Sequence, residues 1–148
     1  MANFAFTNFK RGLMEGEFDL NATDDIRVLM VMTNTTIDTE EDVTSFVSVT
    51  TLDEYDGSGY SSPGQALEGE VVAADTANDR GEFDATDEVF STIGVGTRQA
   101  QAAVIYKFDT DLDTSIPLLY IDTGGFPFDG NGGDITFIWN AETILQLT

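Results

Sequence analysis

The chain has 148 residues, 41% of them hydrophobic, with 27 acidic and 6 basic residues and a formal net charge of −21. A chain of this length suits one domain that buries about 68–70% of the surface its unfolded form exposes. The negative charge repels phosphate backbones and anionic membranes, so we expect no nucleic-acid partner and no membrane partner. Histidine and cysteine are both absent, which removes the commonest general base and the thiol nucleophile. We therefore expect no enzymatic activity.

The N-terminal segment 1–15 is predicted to form a short helix or an arm ahead of a single domain at 16–148. Three phenylalanines fall within its first nine residues, and two of them share one side of a helix with Leu13. Such apolar side chains pack either on their own domain or on a neighbouring subunit. In the second case the predicted partner contacts are Phe4, Phe6, Phe9, Lys10 and Arg11.

The middle of the chain alternates between apolar runs and turn signals. Residues 26–33 form a continuous apolar run of strand length, typical of a strand covered on both faces. Thr39 is placed to cap a helix with an acidic first turn, and helical spacing continues to Thr50. Glycine-rich loops at 56–64 precede two further predicted strands at 66–74 and 82–90.

The last third of the chain predicts strands at 103–108, 116–122 and 134–140. In the last of these, Ile135, Phe137 and Trp139 alternate with their neighbours at the period of two typical of a strand, and its second face is expected to be partly covered. These aromatic residues are more typical of a core than of a sugar-stacking platform. Together the elements predict a mainly β fold, an antiparallel β-sandwich or jelly-roll-like domain with one or two short helices.

An acidic turn between two of these strands contains alternating carboxylates at Asp109, Asp111 and Asp113. This alternation resembles the start of a calcium-binding loop, which next requires glycine and, later, glutamate. The chain has Thr114 and Tyr120 at those positions. Calcium at the three aspartates stays open as a weak alternative to a solvated turn, and we expect no cofactor.

A Phe-Pro-Phe sequence at 126–128 lies within a glycine-rich loop. If the loop leaves these rings exposed, Phe126 and Phe128 are natural anchors for a subunit interface, because aromatic residues dominate the energetics of interfaces. The alternative is a loop folded back over the end of the sandwich.

Several segments in chain order resemble small proteins encoded by tailed bacteriophages. The resemblance implies a virion structural protein and most closely a capsid decoration, or cement, protein. Such a protein is a β-sandwich that assembles, often as a homotrimer, on the outer face of the head and binds the major capsid protein. The resemblance carries over no catalytic residue. It rests on the segments 9–14, 26–32, 57–60, 64–67, 103–107, 116–122 and 133–147.

The resemblance also implies a location and leaves alternatives. The protein would be made in the host cytoplasm and end on the outer surface of the capsid head. A tail or baseplate component that contacts the host surface is the second hypothesis. An acidic mimic of DNA that inhibits a basic enzyme is the third, and it is motivated by the net charge of −21.

Overall fold

The computed structural model describes residues 3–21, 23–139 and 143–148. One α-helix, α1, spans Thr7–Glu15, and two short 3-10 helices span Ile37–Thr39 and Phe46–Ser48. The strands are β1 Phe4–Ala5, β2 Ile26–Met32, β3 Gln65–Ala66, β4 Val71–Asp75, β5 Arg80–Asp84, β6 Glu88–Ile93, β7 Ala100–Lys107, β8 Ile116–Ile121, β9 Gly133–Phe137 and β10 Leu145–Leu147.

The strands form three antiparallel groups. A five-stranded sheet has the order β1-β8-β7-β2-β3, a three-stranded sheet has the order β10-β5-β4, and β6 pairs with β9. The prediction of a mainly β, antiparallel fold with one or two short helices is confirmed, and the arrangement is compatible with a sandwich-like domain.

The core is centred on β2 and β7, which pair from Ile26↔Lys107 to Met32↔Ala100. Six of the seven β2 residues, Ile26 and Val28 to Met32, are at most 3% exposed, so the prediction of a strand covered on both faces is confirmed. Fully burying one such side chain is worth about 1.5–3 kcal/mol. Ala100, Ala102 and Ala103 of β7 are small residues at most 1% exposed, and Val104 to Tyr106 after them are 0% exposed.

The N-terminal segment is part of the core, and this corrects the arm interpretation. Phe6 is 0% exposed and Phe9 is 1% exposed, so neither ring is available to a partner. Phe4 pairs with Tyr120 in β8, and the two rings stack with centroids 5.1 Å apart. α1 then ends at Gly16, whose left-handed φ of 72° suits glycine. Removing these residues would open the core rather than detach a free arm.

The predicted helix after Thr39 is wrong. One 3-10 helix ends at Thr39 and the other spans Phe46–Ser48, with turns between them. Side chains bond backbone groups of this segment and so compete with a helix. The Glu40 carboxylate accepts the Thr50 N–H at 3.0 Å, and the Thr36 hydroxyl accepts the Thr51 N–H at 2.9 Å. The strand predicted at 82–90 is two strands, β5 and β6, separated at 85–87.

Candidate protein-binding groove

A groove of about 380 Å³ runs between β9 and the loop that follows β8. Its apolar walls come from β8, from the loop and from the segment containing β9. We call it the aromatic groove, and its principal side chains are Ile121, Phe126, Phe128, Ile135, Phe137 and Trp139.

The aromatic rings form a continuous row along the groove. The centroids of Phe126 and Phe128 are 5.4 Å apart, those of Phe126 and Phe137 are 5.7 Å apart, and those of Phe137 and Trp139 are 6.1 Å apart. All four residues are half-buried. The structure thus brings together Phe126 and Phe128, which the sequence suggested as partner contacts, with two aromatic residues that the sequence assigned to the core.

Hydrogen bonds hold both ends of this row in place. The Trp139 indole N–H donates to the Thr86 carbonyl at 2.8 Å, and the Trp139 backbone N–H donates to Asp87 at 3.1 Å. At the other end, the Phe128 N–H and carbonyl pair with Ala100 of β7 at 3.0 and 2.9 Å. The row is therefore tied directly to the core sheet, and its rings are positioned before any partner arrives.

The loop wall of the groove depends on glycine. Gly124 and Gly125 have φ values of 80° and 126°, which side-chain-bearing residues rarely adopt. No atom would lie within 4 Å of a Cβ at either position, so backbone conformation rather than crowding favours glycine there. This tight turn carries the chain from the end of β8 to Phe126.

The groove is bordered by carboxylates whose hydrogen-bond donors are neutral. Asp134 accepts the Thr92 N–H at 2.8 Å, and Asp129 accepts the Gln99 amide at 2.9 Å. Behind β9, burial and the nearby Glu68 carboxylate raise the pKa of Glu88 at the start of β6. Across residues 3–21, 23–139 and 143–148, the lysine and arginine side chains that form ion pairs lie in α1, β2, β5 and β7 and just before β7. These positions are outside β9 and the loop after β8.

Buried tyrosines support the fold around the groove. The Tyr55 hydroxyl donates to the Gly94 carbonyl at 2.8 Å and accepts N–H groups from Gly96 at 3.1 Å and Gly130 at 3.3 Å. Burial raises the pKa of Tyr60, whose hydroxyl donates to Glu54 at 2.7 Å. Burial likewise raises the pKa of Tyr106, which donates to the Pro63 carbonyl. The raised pKa values keep the hydroxyls of Tyr60 and Tyr106 protonated, and all three hydroxyls have structural partners.

The remaining predicted contacts lie away from the groove. Lys10 and Arg11 are exposed on α1, and the Arg11 guanidinium pairs with Glu15 and with Glu17 at 3.0 Å. Arg11 is thus engaged within its own helix and the turn after it. Phe4 is half-buried in β1.

The structure does not group the three carboxylates of the acidic turn at 109–113 around one point, so calcium there stays a prediction. Asp111 accepts the Thr114 N–H at 3.0 Å, so its carboxylate stabilises the turn itself. Within the part of the chain that the structure describes, no three Asp or Glu side chains are grouped so that they could hold a metal ion. The alternating spacing of Asp109, Asp111 and Asp113 in the sequence therefore did not predict their arrangement in space, because the three carboxylates do not converge.

A second cavity of about 410 Å³ was not foreseen from the sequence. It lies between the end of α1, the turn after it and the inner face of the three-stranded sheet. Its signal in the sequence is weak, because Phe83 is the only large apolar residue of β5 and β10 contributes only Leu145 and Leu147. The main apolar side chains lining it are Leu13, Phe18, Leu20, Val72, Phe83 and Leu145.

Comparison with protein-family models, with curated proteins and with solved structures found no match to this chain. No helix in the described residues is both long enough and apolar enough to cross a membrane. The observations that bear on function are therefore the aromatic groove and the resemblance of the sequence segments to proteins of tailed bacteriophages.

Proposed function

We propose that this protein is a non-enzymatic structural protein of a tailed-bacteriophage virion. It would decorate the outer face of the capsid head, bind the major capsid protein through the aromatic groove and act as a homo-oligomer, with a trimer as the expected form. The observation that carries the proposal is the row of four half-buried aromatic rings, which is held by the core sheet and open to solvent.

The row has the properties of an interface anchor. Binding energy in protein interfaces concentrates in a few aromatic and arginine side chains that fill well-packed pockets. Because Phe126, Phe137 and Trp139 are already held in place, little side-chain entropy is lost on binding. A stable complex buries about 1,200–2,000 Å² in total, so the groove would form the centre of a larger contact.

The framework behind the groove suits a protein that bridges shell subunits. The central strands β2, β7 and β8 of the five-stranded sheet are largely buried, and the backbone hydrogen bonds between Ala100 and Phe128 link β7 to the groove region. A mechanical force that the partner exerts on Phe128 would be transmitted to β7 through these backbone hydrogen bonds. The acidic exterior would also have no affinity for the packaged genome.

The experiment is binding to phage heads that lack this protein. Purified chain is mixed with heads and sedimented, and the bound fraction is measured by quantitative gel analysis. We expect wild-type chain to sediment with heads and Phe126→Ser to lose at least about tenfold in affinity, equivalent to about 1.4 kcal/mol. Val95→Ser, at a side chain 69% exposed outside the groove, is the matched control and should bind like wild type.

Two results would overturn the proposal. Failure of wild-type chain to bind heads would exclude the decoration role, and equal binding by both variants would exclude the groove. Gold-labelled antibody on intact particles then distinguishes the head from the tail, and label on the tail would favour the baseplate hypothesis. Sedimentation velocity of the free chain tests the expected trimer.

A further inference from the structure

We propose that the aromatic groove binds an extended, cationic segment of the shell protein as an additional strand along β9. The segment would place apolar side chains at alternate positions over the groove and direct lysine or arginine side chains to its rim. This inference rests on the proposed function, which supplies the partner, and it specifies the chemistry of that partner.

The first support is the open edge of β9. Within the described residues β9 pairs only with β6, from Phe137↔Glu88 to Gly133↔Ile93. In an antiparallel ladder, alternate residues direct their N–H and carbonyl groups to opposite sides of the strand. The residues of β9 whose groups point away from β6 therefore present donors and acceptors along the outer edge.

The second support is the position of the cavity relative to that edge. Six consecutive residues, 134–139, line the groove, and the first four of them belong to β9. Successive side chains of a strand point to opposite faces, so a cavity lined by all four of these strand residues follows the edge of β9 rather than one face. The groove thus offers space where the next strand of the sheet would lie.

The third support is the apolar lining opposite the edge. Ile121 at the end of β8 lines the groove, and the Phe126 ring lies 5.7 Å from the ring of Phe137 in β9. A strand added to β9 would direct every second side chain toward these residues. Backbone hydrogen bonds provide affinity in this mode of recognition, and the alternating pockets provide specificity.

The charge of the groove selects a cationic segment. Asp134 lines the groove, Asp129 follows Phe128 directly, and Asp87 bonds the backbone of Trp139. Neutral groups donate the hydrogen bonds described for these carboxylates, so the rim keeps its negative charge. Lysine or arginine on the incoming segment would neutralise this rim and speed association.

The same charge argues against a second copy of this chain as the occupant. Each copy carries a net charge of −21, and five of its six basic residues have ion pairs within their own chain. The sixth, Lys10, lies in the middle of α1 and belongs to no extended segment. An extended cationic segment must therefore come from another protein.

The test uses a fluorescent nine-residue peptide of alternating leucine and lysine, with binding followed by anisotropy at physiological salt. Two further peptides carry N-methyl groups, one on every leucine amide and the other on every lysine amide. Alternate amides of a strand lie on opposite edges, so only one of these peptides has the edge facing β9 blocked. We expect that peptide alone to lose at least about tenfold in affinity.

Equal affinity of the two N-methylated peptides would overturn the inference, because attraction between charges alone does not depend on which edge is blocked. Absence of binding by the unmodified peptide would overturn it as well. Phe126→Ser should weaken the unmodified peptide at least about fivefold, whereas Val95→Ser should not, with circular dichroism confirming that both variants are folded.

The head-binding assay separates this inference from the proposed function. Head binding without discrimination among peptides would leave the decoration role standing and reject strand addition. Edge-specific peptide binding without head binding would reject the decoration role and retain the groove as a strand-accepting site. Competition of the unmodified peptide with heads for the chain would support both.

Discussion

Strands β2 and β4 have similar apolar sequences but opposite environments. β2 lies between β7 and β3, and its residues 28–32 are at most 3% exposed. β4 lies at the edge of the three-stranded sheet, where Val71 and Val72 are each 50% exposed. Apolar character thus predicts a strand in both places, whereas the number of neighbouring elements determines how much the strand stabilises the protein. The groove region lies between these extremes, since its rings are half-buried.

The largest expected effect tests the assignment of the N-terminal segment to the core. Phe6→Ala should reduce the free energy of unfolding by about 3–5 kcal/mol, because it leaves a cavity beside β8 and Phe4. Phe126→Ala in the half-buried groove is the matched comparison and should reduce it by less than half as much. Urea denaturation followed by tryptophan fluorescence measures both. If both substitutions lowered the free energy of unfolding by similar small amounts, Phe6 would not be a core residue in solution and the arm interpretation would be restored.

The next prediction contrasts β2 and β4 directly. Leu29→Ala should destabilise the protein by about 2–5 kcal/mol, since Leu29 is 0% exposed. Val72→Ala should change the free energy of unfolding by less than about 1 kcal/mol, because half of the side chain is already in contact with water. Urea midpoints and slopes provide the comparison. A large loss from Val72→Ala would show that β4 is covered in solution, for example by another copy.

A third prediction concerns the connection between the core and the loops near the groove. Tyr55→Phe removes the hydroxyl that bonds Gly94, Gly96 and Gly130, and it should cost about 1–3 kcal/mol. Tyr120→Phe is the control, because its hydroxyl accepts one bond from Gln101 at 3.1 Å. Its expected cost is about 0.5–1.5 kcal/mol. Equal costs would indicate that water replaces the Tyr55 contacts readily.

The smallest expected effect is a pH dependence at Glu88. Burial and the Glu68 carboxylate raise the pKa of Glu88 in the folded state, so the folded protein binds this proton more tightly than the unfolded chain does. Stability should therefore rise as pH falls through the raised folded pKa. Glu88→Gln should reduce the gain in urea midpoint that is measured as the pH is lowered from neutral through the raised folded pKa of this carboxyl. Asp42→Asn, at an exposed carboxylate, should leave the gain unchanged.

The central strands could be predicted because their signal is local. The apolar run in β2 and the runs in β7 and β8 are long enough to indicate buried strands without knowledge of their neighbours. The helix predicted after Thr39 failed for the opposite reason. Its pattern was weak, and the Glu40 and Thr36 side chains accept hydrogen bonds from the backbone N–H groups of Thr50 and Thr51, which lie 10 and 15 positions further along the chain.

The candidate site was predictable only in part. Phe126 and Phe128 were suggested by their place in a glycine-rich loop, whereas Phe137 and Trp139 were assigned to a core because they alternate as strand residues do. The structure places those two beside the loop and leaves Ile138 76% exposed, so the second face of this strand is not covered as expected at that position. Strand alternation does not show whether another sheet lies opposite, because that depends on contacts distant in the chain.

Composition and short-range periodicity were sufficient to predict the class of the fold, the buried central strands and the acidic surface. Tertiary contacts were needed to show that Phe6 and Phe9 belong to the core, that the aspartates at 109–113 are not grouped, and that four aromatic rings line one groove. The physical reason is that burial and grouping depend on pairings such as Phe4↔Tyr120 and Ala100 with Phe128. Those pairings join residues far apart along the chain, and local propensity does not encode them.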